Sequence, residues 1–242
     1  MGIRANIIKI KVVIPNSGME EQTLKAREEM LAKAVSEGTQ ISVECIPSGP
    51  ESVESETDEI LAAPYLLAAA RKAQYEGYHA LVVYCFSDLS VDALRENVRI
   101  PVIGPGETAL ATAQMISNRF TVVTTAKKNV SRTIRRLEKN PISRLKMAGV
   151  REIGVPVSEL RENPEVTQQC LREVCRQAVE EDGSDTLILG CLGMAEYGEV
   201  LEKEFAVKVI DPAFLAVAWA ELSARLGLIP SRRAYPEYGG LR

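Results

Sequence analysis

Histidine is almost absent from this chain: one residue, His79, in 242. It opens a predicted strand six residues before Cys85, which puts it about 20 Å from that thiol at the opposite sheet edge. Cys–His and Ser–His–Asp nucleophiles, which need an imidazole at the nucleophile, are therefore set aside. A structural zinc site is set aside too, because no C-x-x-C pair accompanies the single histidine. Long apolar runs are missing as well. The N-terminal one is broken by Lys9 and Lys11 and reads as a first strand rather than a signal peptide, and nothing reaches membrane-spanning length. Positive charge is not in excess: 29 Lys and Arg face 33 Asp and Glu, for a formal charge of −4, so nucleic acid is not an expected partner. One basic cluster (Lys127, Lys128, Arg132, Arg135, Arg136, Lys139) reads as the solvated face of a helix whose Val130, Ile134 and Leu137 point inward. Five cysteines, an odd number without framework spacing, suggest thiols in a reducing cytoplasm rather than disulfides.

What the chain does contain is a repeat. Cys85 ends an apolar run in ALVVYCFSDLS and Cys191 ends another in TLILGCLGMAE. A short strand of the form V-I-x-P follows each, at 102–105 and 209–212, and an opening strand precedes each, at 10–17 and 119–126. Asn16 lies 69 positions before Cys85, and Thr124 lies 67 before Cys191. Four landmarks kept in step indicate two copies of one unit. Strand-like β-branched runs at 7–14, 40–46, 79–84, 101–104, 120–124, 150–155, 185–190 and 207–210 alternate with helix-length stretches at 20–36, 59–75, 89–97, 107–117, 128–140, 164–181, 195–204 and 213–226. This pattern predicts an α/β fold of two pseudo-symmetric halves, each a four-stranded parallel sheet flanked by helices, with an active-site cleft between them. The lobes are drawn as 1–101 plus 213–242 and 102–212, the last helix packing back on the first lobe. The polar stretch 47–58 reads as a functional rim. The tail 231–242 lacks periodicity and is read as loose or docked on a neighbour.

Ligands of parallel sheets bind outside the carboxyl ends of the strands, where Asn16, Cys85, Thr124 and Cys191 all fall. A lone cysteine there is ordinarily a small apolar residue. Recurrence in both copies turns the pair into acid/base candidates, and a following helix N-terminus would stabilise each thiolate. Two opposed thiols can take a proton from one face of a carbon and return one to the other. Cys45, Cys170 and Cys175 read as structural. Gly104-Pro105-Gly106-Glu107-Thr108-Ala109 imitates a dinucleotide fingerprint, but no acidic residue ends the next strand, and a helix cap is the better reading. Asn16, Ser17, Ser87, Thr124 and Thr125 are each cap or turn residues in isolation; together they suit a ligand of carbonyls and N–H groups.

At these motifs the chain resembles the aspartate/glutamate/hydantoin racemase superfamily, and within it the hydantoin (allantoin) racemase branch. The resemblance rests on Pro15-Asn16-Ser17, Gly49-Pro50 with Ser52-Val53-Glu54 and Asp58-Glu59, and Cys85-Phe86-Ser87-Asp88 with Asp92-Ala93 and Arg95-Glu96. It continues through Pro101–Gly104 with Glu107, Arg119-Phe120 with Val122–Thr125, Leu189-Gly190-Cys191 with Gly193-Met194, and Val209-Ile210-Asp211. It implies cofactor-independent racemisation of a small molecule by Cys85 and Cys191, without metal, membrane or nucleic acid, in a homo-oligomer. It also implies substrate contacts from Asn16, Ser17, Phe86, Ser87, Thr124, Thr125, Gly190, Leu192 and Gly193. Ser87 stands where hydantoin racemases usually carry an acidic residue, Ser55 and Thr57 replace a glycine and an aromatic, and Leu192 replaces a small alanine. Three readings stay open beside a hydantoin racemase: an aspartate/glutamate-type amino-acid racemase, an isomerase of small diacids, and a non-catalytic two-lobed binding protein whose cysteines fill the cleft.

Overall fold

The computed structural model describes residues 7–139 and 141–239. Residues 1–6 of the first predicted lobe, the end of the predicted helix 128–140 and the last three residues of the tail lie outside them.

The first unit opens with β1 (Ile8–Ile14), α1 (Glu21–Ala32), β2 (Thr39–Cys45), α2 (Glu56–Tyr75), β3 (Ala80–Val83), α3 (Val91–Asn97) and β4 (Val102–Ile103). Its strands are all parallel, in the order β2-β1-β3-β4. The second unit holds α4 (Pro105–Ile116), β5 (Phe120–Thr124), α5 (Lys127–Leu137), α6 (Pro141–Lys146), β6 (Met147–Glu152), α7 (Pro164–Glu180), β7 (Thr186–Leu189), α8 (Gly198–Phe205) and β8 (Lys208–Ile210). Its order is β6-β5-β7-β8, again parallel. Each thiol-bearing strand, β3 or β7, thus pairs with the opening strand on one side and the V-I-x-P strand on the other. Among the described residues the last element is α9 (Pro212–Leu226).

Compactness divides the chain after Pro105 and again after Ala213, so the first unit runs to Pro105 and resumes at Phe214. The sequence reading drew the first boundary at 101/102. The difference has a plain cause: Leu81 and Val82 pair with Val102 and Ile103, which holds that strand in the first sheet. Within the first unit, Glu221 of α9 accepts from the Thr39 hydroxyl at 2.7 Å and the Ser36 N–H at 3.1 Å, fastening α9 beside β2.

Both sheets cover the same face in the same way. On the first, Leu66, Ala70 and Ala73 of α2 and Leu94 of α3 pack on Leu81, Val83 and Val102, with Cys85 at the edge of the cluster. On the second, Leu171, Cys175 and Ala178 of α7 and Leu201 of α8 pack on Leu187, Leu189 and Val209, with Cys191 at the edge. Alternation along each strand selects these residues. Burial of each leucine or valine among them contributes on the order of 1.5–3 kcal/mol.

Several elements differ from the sequence reading. β6 begins at Met147, and a short helix, α6, precedes it. Arg132, placed on a solvated face, is only 8% exposed, and Asn129 is buried beside it. On α5, the inward positions 129, 132 and 137 follow a helical period that apolar residues alone did not trace. The tail lies on its own unit. Arg232 donates to the backbone oxygens of Arg95, Glu96 and Val98 at the end of α3, and Arg95 stacks on the Tyr235 ring at 5.5 Å. A guanidinium there satisfies carbonyls that a helix C-terminus leaves without partners.

Candidate active site

The peptide link after β3 and that after β7 run alike. Tyr84 N–H donates to Val13 O at 2.8 Å, and Gly190 N–H donates to Val123 O at 2.7 Å. Cys85 and Cys191 are the next residues, each partly buried and each a thiol. The carbonyl of each then accepts from the residue three places on, Asp88 N–H at 3.1 Å and Met194 N–H at 2.9 Å. The register therefore matches Val13 with Val123 and Ile14 with Thr124, whose carbonyls receive Ile46 and Ile153 N–H. Asn16 lies two residues beyond that match rather than opposite Thr124.

Neither thiol opens a long helix. Five residues separate Cys85 from α3, which is itself only seven residues long. Cys191 precedes a single 3₁₀ turn, Leu192–Met194, and α8 starts later, at Gly198. The expected help from a helix N-terminus is thus absent at both thiols, and loop groups take its place. Beside Cys85 that group is a hydroxyl: the sulfur lies 3.3 Å from Ser87 Oγ. A hydroxyl donating to a thiolate makes a charge-assisted hydrogen bond, and it avoids the like-charge repulsion an acidic residue would bring.

Glycine is required beside Cys191. A Cβ on Gly190 would lie 2.9 Å from Val123 O and 2.7 Å from Val122 Cγ1, so a side chain there would push β7 off β5. A Cβ on Gly193 would meet Leu160 at 2.6 Å and stand 3.5 Å from the Cys191 sulfur. Leu192 is buried and Gly193 is half-buried.

The polar candidates divide. Asn16 Nδ2 donates to Glu51 O at 3.1 Å, Ser17 Oγ donates to Gly49 O at 3.0 Å, and Ser17 N–H donates to Pro50 O at 2.9 Å. Both residues therefore hold the rim that follows β2. That rim ends at Ser55, which caps α2 by accepting from Asp58 N–H and donating to the Asp58 carboxylate. Thr124 and Thr125 are buried at the end of β5, and Thr125 Oγ1 accepts from Asn129 Nδ2 at 2.9 Å. That bond leaves the Thr125 proton to be donated elsewhere. Phe86 is partly buried in the loop after Cys85. Asn129 is not among the sequence-predicted site residues, and Asp88 and Asp211 enter the sequence analysis only as motif residues; comparing V-I-G-P with V-I-D-P singles out the last.

Of the remaining cysteines, Cys175 is fully buried and ill suited to proton transfer. Burial, with a smaller contribution from the Glu204 charge, pushes the Cys175 thiol up to about 12. Among the described residues no group of three or more His, Cys, Asp or Glu is placed to hold a metal ion, and no helix is long and apolar enough to cross a membrane.

His79 sits at the start of β3, with its Nδ1 accepting the Lys9 N–H at 2.9 Å. Partial burial, then the Lys9 charge, lowers its pKa. The unfolded chain binds this proton more readily, so stability is complete above about pH 6.5 and declines as pH falls from there through the lowered folded value. His79→Gln should remove that part of the acid slope in urea unfolding while leaving turnover within about twofold, since the ring lies at the strand end away from Cys85.

This chain of two parallel α/β units, each with a thiol just past the same central strand, belongs to the Asp/Glu/hydantoin racemase family, which matches residues 10–220. The protein is accordingly a racemase. It is 34% identical to the hydantoin racemase of Pseudomonas sp. (strain NS671) over 233 residues, covering 95% of this chain and 92% of that one. It is 33% identical to the hydantoin racemase of Rhizobium meliloti, with 94% of each chain covered. The allantoin racemase from Klebsiella pneumoniae superposes with a TM-score of 0.88 at 32% identity, over 97% of this chain and 96% of that one.

Proposed function

We propose that this racemase inverts a 5-substituted hydantoin or similar cyclic ureide, with Cys85 and Cys191 as its two acid/base groups. The observation that carries the reading is the recurrence of a thiol at one and the same place in both units, one residue beyond the bond to Val13 O or Val123 O. The carbon at ring position 5 lies beside a carbonyl, so removing its proton delocalises charge onto oxygen. One cysteine, as thiolate, takes that proton; the other, as thiol, protonates the opposite face. The pair ends with its protonation states exchanged, ready for the other enantiomer. Ser87, the Thr125 hydroxyl and the N–H groups near Gly193 are neutral donors suited to an enolate oxygen and ring amides. Relatives named for hydantoin and for allantoin support a cyclic ureide, since allantoin is itself a substituted hydantoin.

The test is solvent exchange. Single enantiomers of several 5-substituted hydantoins, and of free aspartate and glutamate, are incubated in heavy water with and without protein. Protein-dependent deuterium uptake at the ring carbon of hydantoins, with inversion and without uptake by the amino acids, is the expected result. Uptake by the amino acids alone would replace this substrate with the amino-acid reading, and binding without uptake would favour a binding protein.

A further inference from the structure

The two units place a carboxylate at the same corner but take it from different segments, the loop after the thiol in one and the turn after the V-I-x-P strand in the other. In the first unit, Asp88, the third residue after Cys85, lies against Gly104. A Cβ on Gly104 would stand 2.5 Å from Asp88 Oδ1 and 2.6 Å from its Cγ. In the second unit the third residue after Cys191 is Met194, fully buried, and the counterpart of Gly104 is Asp211. Among the bonds of Asp211, Oδ1 accepts from Ala213 N–H at 3.0 Å, and Oδ2 accepts from Glu196 N–H at 3.0 Å. The first caps α9; the second reaches back to the loop that begins at Cys191.

That loop is bent in the same way in both units. The residue five places after the cysteine is left-handed in each, Ser90 at φ 61° and Glu196 at φ 80°. Neither is glycine, so each conformation persists only where its surroundings hold it. Asp88 is left-handed too, at φ 54°, a setting that aspartate tolerates better than most residues.

We propose that Asp88 and Asp211 are positioning residues that have changed places between the units, each coupling the loop of its own thiol to the turn after the neighbouring V-I-x-P strand. The carboxylate lies on the loop after the thiol in one unit and just past the V-I-x-P strand in the other, but it fills one space. The proposal rests on the reading of Cys85 and Cys191 as the reacting pair only for its consequence in turnover. The coupling itself is measured without substrate.

The measurement is the rate of alkylation of each cysteine by iodoacetamide against pH in the intact protein, resolved by mass spectrometry of the peptides. Asp211→Ser keeps a side-chain oxygen to cap Ala213 but is too short to hold Glu196. It should change the Cys191 rate at least threefold and move its pH midpoint, with Cys85 within about twofold of the parent. Asp88→Ala should do the reverse. Gly104→Asp alone should be destabilised, because two carboxylates would contest one space. Joined with Asp88→Ala it rebuilds the second unit's arrangement in the first, and should return the Cys85 profile to within twofold of the parent and recover the stability. An unmoved Cys191 profile in Asp211→Ser, or equal changes at both cysteines, would overturn the proposal; so would failure of the Asp88→Ala/Gly104→Asp pair to improve on Gly104→Asp. If the profiles move as stated but the parent protein exchanges no hydantoin proton, the substrate reading fails and the coupling stands.

Discussion

Serine at position 191, or at position 85, should lower racemisation in both directions by roughly 10²–10⁴-fold, the span typical of losing a positioned acid or base. The exchange of sulfur for oxygen is nearly isosteric, so the fold is retained. What disappears is a group acidic enough to form an anion near neutral pH. In the proposed mechanism inversion needs both thiols, one as base and one as acid, in every turnover, hence either replacement slows it for either enantiomer. Deuterium uptake without inversion separates the two. Each variant keeps one thiolate, which can still remove and return a proton on its own face, so Cys85→Ser should wash solvent hydrogen into one enantiomer and Cys191→Ser into the other. A single variant that loses exchange with both enantiomers while its partner loses neither would reduce the mechanism to one base. Mixing the two variants checks the chain boundary: activity stays lost if each site draws both thiols from one chain, and returns if a site is shared between chains.

Much of this molecule could be read from residue order because its main signal is redundant. The runs before Cys85 and Cys191 are short, β-branched and bounded by turns, and they recur with matching flanks. Parallel sheets buried on both faces produce that pattern. The strand order 2-1-3-4 recurs in each unit, as two copies of one fold require. Side-chain economy was less legible. Asn16 and Ser17 stand at the productive end of β1, yet their donors are taken up by the backbone of Gly49, Pro50 and Glu51. A carbonyl in a loop remote in sequence leaves no trace in a local motif. Arg132 was assigned to water because arginine usually is, although its helical phase places it inward. The exchange of Asp88 for Asp211 escaped notice for a related reason. Aligned position by position, aspartate faces methionine and glycine faces aspartate, two mismatches that become one conserved charge only in space.

Loss of Glu221 should cost this protein about 3 kcal/mol of folding stability at neutral pH. The side chain is 7% exposed and receives the Thr39 hydroxyl, the Ser36 N–H and two nitrogens of Arg225 at 3.0 and 2.6 Å. Burial alone would raise its pKa; the bonds from Thr39, Arg225 and Ser36 outweigh that and hold it down to about 2, against 4.5 for an ordinary glutamate. The folded state therefore prefers the ionised form. The unfolded chain takes up the proton first as pH falls, so this stabilisation is complete above about pH 4.5 and is lost progressively toward pH 2. A gap of that size corresponds to about 3 kcal/mol at roughly 1.4 kcal/mol per pKa unit. Glu221→Gln keeps the shape but offers one acceptor where several donors converge, and it turns an amide toward them. Urea unfolding between pH 2 and 7 should show the variant less stable at pH 7, with a shallower slope below pH 4.5 and convergence with the parent near pH 2. Parallel curves across that range would mean that the carboxylate is not what fastens α9 to Thr39 and Ser36, and that apolar packing of the helix carries the attachment instead.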